Sequence, residues 1–236
     1  TQQLQPVRGS SAVNSAGIDP LAEFVHVRLY AEDYGAIPGI PQRINDRAYG
    51  YSQGENWQGS VGSGARVTDA SCPVSPFCLW FNSNTTYLDW DRSGATPGGT
   101  AKTWDFADKD FTIQAWIRRA NSSARASIFY SGVSNTGVVC DVRPTGEMRI
   151  SSGSTNYTTA TGIVPSGQWV HVAFSCVSGV MHFHLNGVLQ ATAAYPPVPT
   201  TPPGTTSSAR VGNQGTPYYG SSVFDVNFYL QGLDIT

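Results

Sequence analysis

Trp169-Val170-His171-Val172-Ala173-Phe174-Ser175-Cys176-Val177-Ser178-Gly179-Val180-Met181-His182-Phe183-His184-Leu185-Asn186-Gly187-Val188-Leu189 carries an alternating apolar pattern on both sides of a Ser-Gly pair. Its first arm puts Val170, Val172, Phe174 and Cys176 on one side and Trp169, His171, Ala173 and Ser175 on the other. Its second arm alternates Met181, Phe183 and Leu185 with His182, His184 and Asn186. Period two on both arms predicts two strands. With Ser178-Gly179 as a two-residue turn, Cys176 falls opposite Met181, Phe174 opposite Phe183 and Val172 opposite Leu185. Turn and apolar pattern thus demand one register.

The polar side of this hairpin is either solvated or covered by something it binds. In the register above His184 lies diagonal to His171, and His182 is two residues along the same strand. Three imidazoles on one face can hold zinc, and histidine is equally a tolerable, partly exposed strand residue. No cysteine or carboxylate on the hairpin completes a ligand set, so the expectation is no metal, with His171, His182 and His184 as the weak candidates.

The rest of the chain has the same texture. Charged residues make up only 13% of 236 residues, and 25 glycines and 15 prolines punctuate short apolar runs, a composition of strands joined by turns. One all-β domain can occupy this length. A net charge of −2 leaves no basic stripe for nucleic acid. No apolar run approaches the roughly 20 residues that cross a bilayer as a helix. Cys72 and Cys78 flank a short loop and could close it, whereas Cys140 and Cys176 sit inside apolar strand patterns as buried thiols. We therefore expect a reduced chain. Three Asn-x-Ser/Thr triplets, at Asn84, Asn121 and Asn156, decide nothing in so Ser/Thr-rich a sequence.

Residues 1–23 are polar and aperiodic and are expected to form an extended arm, with residues 24–236 as the domain. The arm lacks the pattern of a signal peptide, and its leading Thr suits removal of an initiator Met or of a longer leader. Phe24–Tyr30 reads as the first strand. A turn-rich passage from Ala31 to Asp69 carries Tyr49, Tyr51 and Trp57 with little alternation. Leu79 and Phe81, then Leu88 and Trp90, suggest a second hairpin across residues 82–85. Phe111, Ile113, Ala115 and Ile117 alternate with Thr112, Gln114, Trp116 and Arg118 in the clearest lone strand. Shorter strands are expected at 127–130, 137–142 and 147–151. A proline-rich loop over 194–208 and a closing strand with Phe224, Val226, Phe228 and Leu230 inward complete the pattern.

Several segments resemble one family. Phe111-Thr112-Ile113-Gln114-Ala115-Trp116 looks like an F-T-I-E-A-W strand, and Gln168-Trp169-Val170-His171-Val172-Ala173 looks like G-x-W-x-H-V-A. Leu185-Asn186-Gly187 is similar to Y-x-D-G, Arg210-Val211-Gly212 to x-I-G, and Tyr218 to Val226 to P-F-x-G-x-I-D-x-V. In this order, over Phe24 to Leu233, they resemble the laminin G-like, concanavalin A-like lectin and glucanase jelly rolls. The resemblance implies an all-β, two-sheet antiparallel β-sandwich. The sequence departs from the family at Asn186, where Asp is usual, and at Asn227, where Arg is usual.

Retaining glycosidases of this family carry an E-x-D-x-x-E strand. The only glutamates here are Glu23, Glu32, Glu55 and Glu147, no two of them five apart, so that catalytic set is missing. No G-x-S-x-G, H-E-x-x-H or phosphate loop occurs. Cofactors are expected to be none, with room for calcium at Asp89/Asp91 or Asp108/Asp110, pairs that equally cap turns. The expectation is a non-enzymatic module that stacks a host-surface glycan on loop aromatics, Tyr51, Trp57, Tyr218 and Tyr219. Its arm, through Ile18, Leu21 and Phe24, would attach it to other proteins of a phage virion as a capsid decoration or tail-fibre component, with homo-oligomerisation left open. A secreted, extracellular bacterial lectin is the alternative.

Overall fold

A computed structural model describes residues 27–29, 43–45, 56–59, 66–82, 87–90, 106, 110–132, 138–152, 155–195, 208–212 and 228–235. These residues form sixteen strands: β1 (Val27–Leu29), β2 (Arg43–Asn45), β3 (Asn56–Gly59), β4 (Arg66–Thr68), β5 (Phe77–Phe81), β6 (Tyr87–Trp90), β7 (Phe111–Arg119), β8 (Ala126–Gly132), β9 (Val138–Val142), β10 (Met148–Ser152), β11 (Thr155–Thr158), β12 (Val170–Val177), β13 (Val180–Leu185), β14 (Val188–Ala194), β15 (Ser208–Gly212) and β16 (Phe228–Ile235). No helix occurs among them. The first sheet runs β14-β13-β12-β7-β16-β5-β4, with β1 also paired to β16. The second runs β11-β10-β9-β8-β15-β6-β3-β2. All pairings between these strands are antiparallel, as in a jelly-roll sandwich.

The β12–β13 hairpin has the register read from the sequence: Val172 faces Leu185, Phe174 faces Phe183 and Cys176 faces Met181. Its turn residues Ser178 and Gly179 take φ of 49° and 75°, the left-handed pair that matches the twist of the flanking strands. The next turn repeats this at Asn186 and Gly187, φ 50° and 78°, and leads into β14, a strand the alternation does not announce because Val188 and Leu189 are both exposed.

Between the sheets lies one apolar core. Ile113, Ile117, Val170, Val172, Phe174, Met181 and Phe183 enter it from the first sheet, and Leu88, Val138, Cys140, Val142, Met148, Ile150 and Val211 from the second. Leu185, expected in this core, is only partly buried and packs at its margin. A register shift in β8 between Ser127 and Phe129 lets both Ile128 and Phe129 reach the core. Phe106 then bridges Phe129 and Phe111 with edge-on contacts of 5.9 and 4.9 Å.

Two expectations are corrected. β5 and β6 are not a hairpin: β5 pairs with β4 and β16 in the first sheet, and β6 with β3 and β15 in the second. Alternation tells which side of a strand is apolar, and both sheets of a sandwich present such a side to the same core, so it does not say which sheet a strand joins. The closing strand, described from Phe228, continues past Leu230 to Ile235, with a register shift between Gln231 and Leu233. Leu230 and Ile235 are buried, while Phe224 and Val226 lie outside the described residues. All four cysteines are unbridged, and Cys140 and Cys176 are fully buried in opposite sheets.

Candidate functional site

The two sheets differ on the sides that face away from the core. On β9 and β10 every residue is buried on both sides. There Arg149 Nε donates to Asp141 Oδ1 at 2.9 Å, and Arg125 Nη1 lies 3.4 Å from Asp141 Oδ2, with all three charged side chains almost wholly buried. That surface is closed. On β7, by contrast, Thr112, Gln114, Trp116 and Arg118 are half-buried in strict alternation with the core residues. The outer side of the first sheet is therefore partly accessible along β7, where the corresponding part of the second sheet is closed.

Register assembles this surface. His171 of β12 lies opposite Trp116 of β7, Ala173 opposite both Gln114 and His184, and Ser175 opposite both Thr112 and His182. The rings of Trp116 and His171 meet edge-on at 5.3 Å, and His182 and His184 stack at 6.3 Å. Trp169, one residue before β12, lies under the Arg118 guanidinium, 5.5 Å from carbon to ring centre. Its indole Nε1 donates to Ser71 Oγ at 3.2 Å. Two indoles, three imidazoles and a guanidinium thus share one side of the sheet with small side chains at Ala173, Ser175 and Thr112.

A loop from the β4–β5 connection borders the surface. Arg118 donates to Asp69 Oδ2 at 2.6 Å and to Ser71 Oγ at 3.1 Å, while the Ser71 amide and hydroxyl both donate to Asp69 Oδ1. The Ser71 donors, with Arg118 beside them, hold the Asp69 carboxyl below the usual carboxylate range. Gln231 of β16 fixes the other end, donating to the carbonyls of Ser75 and Phe77 and accepting from the Val74 amide.

Burial lowers the His171 pKa, helped by the neighbouring His184, and burial with the neighbouring His182 lowers that of His184. Both rings are therefore neutral near pH 7, each offering one donor and one acceptor. Both Asp69 oxygens are already engaged, and Asp110 caps the β12–β13 turn by accepting from the Ser178 amide at 2.7 Å. Among the described residues, neither is a carboxylate poised for acid–base work on this surface.

The sequence-predicted sites fare unevenly. Tyr51, Tyr218, Tyr219 and the arm residues Ile18, Leu21 and Phe24 lie outside the described residues. Of Trp57 only the backbone is described, in β3 opposite Trp90 of the second sheet. Asp91 and Asp108 also lie outside. The three histidines share one side as expected, but their nitrogens do not converge as a ligand set. Among the described residues the group whose ligand atoms all lie within 4.8 Å is Asp69, Cys72 and Cys78. What the sequence left unassigned was the partnership of Arg118 and Trp169 with Ser71 and of Trp116 with His171. The signal was present in the period-two pattern of β7 and in the unexplained polar side of the hairpin.

Family comparison decides the relationship. A model of the concanavalin A-like lectin/glucanases superfamily matches residues 78–233. The chain belongs to this superfamily. No curated protein matches it by sequence. Among solved structures it is similar to the sialidase of Trypanosoma rangeli, with a TM-score of 0.57 and 14% identity over 98% of this chain and 33% of that one. It is also similar to the binding domain of botulinum neurotoxin DC, solved in complex with rat synaptotagmin II, with a TM-score of 0.57 and 13% identity over 91% of this chain and 48% of that one. A third similar structure, described in terms of botulinum neurotoxin type C interacting with two ganglioside molecules, has a TM-score of 0.55 and 15% identity over 91% of this chain and 48% of that one. The superfamily member therefore spans between a third and half of each of these neighbours, and the likeness is one of fold.

Proposed function

We propose that this domain is a non-catalytic glycan-binding module whose ligand lies on the outer side of the first sheet, across Trp116, Arg118, Trp169, His171 and His184. The observation that carries the reading is the pairing of Trp116 and Trp169, at diagonal positions on β7 and the start of β12, with a guanidinium and neutral imidazoles around them. Indole rings offer apolar area for the C–H faces of a pyranose, and the polar groups beside them satisfy its hydroxyls. Family membership and neighbours that include a ganglioside-interacting toxin support a sugar ligand. The missing E-x-D-x-x-E strand and the engaged Asp69 support binding without hydrolysis.

A glycan array probed with the full chain, followed by calorimetry on the best ligand, tests this. Trp116→Ala and Trp169→Ala should each weaken binding about tenfold or more, on the order of the 1–3 kcal/mol that ring stacking supplies. Unchanged affinity in both variants would remove the site. Turnover of a fluorogenic sialoside by the purified chain would remove the non-catalytic reading.

The setting we propose is display on a phage virion, with the polar segment 1–23 as the attachment arm through Ile18, Leu21 and Phe24. A secreted lectin is the rival. The support is the composition of that segment, too poor in apolar residues to fold by itself. Deleting residues 1–17 should abolish assembly onto particles and leave glycan binding intact. Full occupancy by the truncated chain would favour the secreted lectin.

A further inference from the structure

We propose that Cys72 and Cys78 are an oxidisable dithiol whose disulfide locks the 69–77 loop against the outer side of the first sheet. Cys78 lies on β5 between Phe77 and Leu79, so alternation turns it away from the core that Leu79 enters. It is nevertheless fully buried and does not belong to the apolar core cluster. Its cover is the loop from Asp69 to Pro76, closed by the Asp69 amide donating to the Pro76 carbonyl at 2.9 Å and the Cys72 amide donating to the Asp69 carbonyl at 3.1 Å. These bonds bring the half-buried Cys72 sulfur over Cys78, with the two sulfurs inside a group of ligand atoms that spans at most 4.8 Å. Side-chain rotation from there to a sulfur–sulfur bond of about 2.05 Å is a small movement in a loop.

Asp69 completes a set that a cation could use, but the chemistry favours the dithiol. Both Asp69 oxygens are taken, one by Arg118, so a cation would have to displace a guanidinium and then sit beside it. Burial raises both thiols, Cys78 much more than Cys72, which disfavours the two thiolates that a metal needs.

Oxidation requires an external acceptor, for which we take a low-molecular-weight disulfide such as glutathione disulfide. The partly exposed Cys72, as thiolate, attacks one glutathione sulfur, forming a mixed disulfide and releasing one glutathione. Cys78 then loses its proton and attacks the Cys72 sulfur, forming the intramolecular bond and releasing the second glutathione. Two thiol hydrogens thereby pass to two glutathiones. The high pKa of Cys78 makes the second step slow, as suits a bond made once and kept. The residues that lead directly into the closed 72–78 ring supply Ser71 to Trp169 and Asp69 to Arg118, so the bond stiffens the rim of the proposed site without contributing to its surface.

The test uses the full chain in glutathione redox buffers and reads the bond itself, independently of any glycan. Oxidised protein should be lighter by about 2 Da than reduced protein and should yield a peptide linking Cys72 to Cys78, with Cys140 and Cys176 still alkylatable after unfolding. The unfolding midpoint should rise by roughly 4–8 °C, and amide exchange in the 69–77 loop should slow. Cys72→Ser, at the half-buried position, should abolish all three effects while leaving the reduced protein folded. Four alkylatable thiols after full oxidation of folded protein, a glutathione adduct at Cys72 that never resolves, or zinc protecting both thiols from alkylation would each overturn the proposal. Loss of glycan binding with the bond intact would instead count against the assigned function.

Discussion

Asn186 and His171 exchange a reciprocal pair of hydrogen bonds: the Asn186 amide donates to the His171 carbonyl at 2.8 Å, and the His171 amide donates to Asn186 Oδ1 at 2.8 Å. The first turn residue after β13 thus grips the start of β12, the strand that carries His171 beside Trp116. Asn186 also takes φ of 50°, which Asn and Asp tolerate better than other side chains. The family's usual Asp can make the same bonds, so the departure at this position keeps the function of the turn. We expect Asn186→Asp to leave stability within about 0.5 kcal/mol, and Asn186→Ala to cost about 1–2 kcal/mol from the lost acceptor and the strained backbone. Urea unfolding of both variants checks this; equal losses would show that the side-chain bond contributes nothing.

Arg119 is the least expected residue of the fold. It is buried at the end of β7, and its guanidinium donates to the carbonyls of Ala124, Arg143, Pro144 and Val164 at 3.3, 3.2, 2.9 and 2.6 Å. Three connections are tied to one point. Arg119→Met should cost about 3–5 kcal/mol, because it strands several buried acceptors at once. Gly146 closes the same knot with φ of 79°, and a Cβ there would come within 2.9 Å of the Val164 carbonyl and 3.2 Å of Arg119 Nη2. Gly146→Ala should therefore destabilise by about 2 kcal/mol or more. A loss under 0.5 kcal/mol in either variant would mean the loops can rearrange around the knot.

Phe174 tests the core directly. It is fully buried, faces Phe183 across the hairpin and meets that ring edge-on at 5.8 Å. Truncation to Ala should cost about 3–5 kcal/mol from lost transfer energy and the cavity left behind. A measured loss below 1 kcal/mol would mean that β12 presents its other side to the core.

The contrast between Phe174 and Arg119 shows what a sequence makes legible. Strands with one apolar side and two-residue turns announce themselves locally, so β7 and the β12–β13 hairpin with its register could be read without a structure. Long-range facts leave no such local trace. The separation of β5 from β6, the burial of Arg119 and the clamp of Gln231 on the 74–77 segment depend on which distant backbone groups need partners. The proposed ligand surface was half legible: the polar side of the hairpin and of β7 could each be read from alternation, but their union required knowing that β12 pairs with β7.

Acid should destabilise the domain through the same histidines. The ordinary histidine value is 6.5, and His171 and His184 are both lowered from it, by burial first and then by a neighbouring imidazole. Around His171 the facing groups are Trp116 from β7 and His184 from β13, with no carboxylate among the described residues to stabilise an imidazolium. A group that is harder to protonate when folded contributes stability at high pH; as pH falls through about 6.5 the unfolded chain takes up protons that the folded one resists. Stability should therefore be full above pH 7, decline between about pH 6.5 and the lowered folded values, and level off below them. Asp69 acts in a separate window, because its lowered value makes its contribution present above the ordinary 3.8 and lost only as pH falls further. Thermal unfolding of the full chain at intervals from pH 8 to pH 3 should show the midpoint falling between pH 7 and pH 5, and His171→Gln should flatten part of that fall without moving the decline below pH 4. A midpoint that rises on acidification would mean that the imidazoles find a carboxylate in the folded chain and that the outer side of the first sheet is covered by acidic residues instead of being open to a neutral ligand.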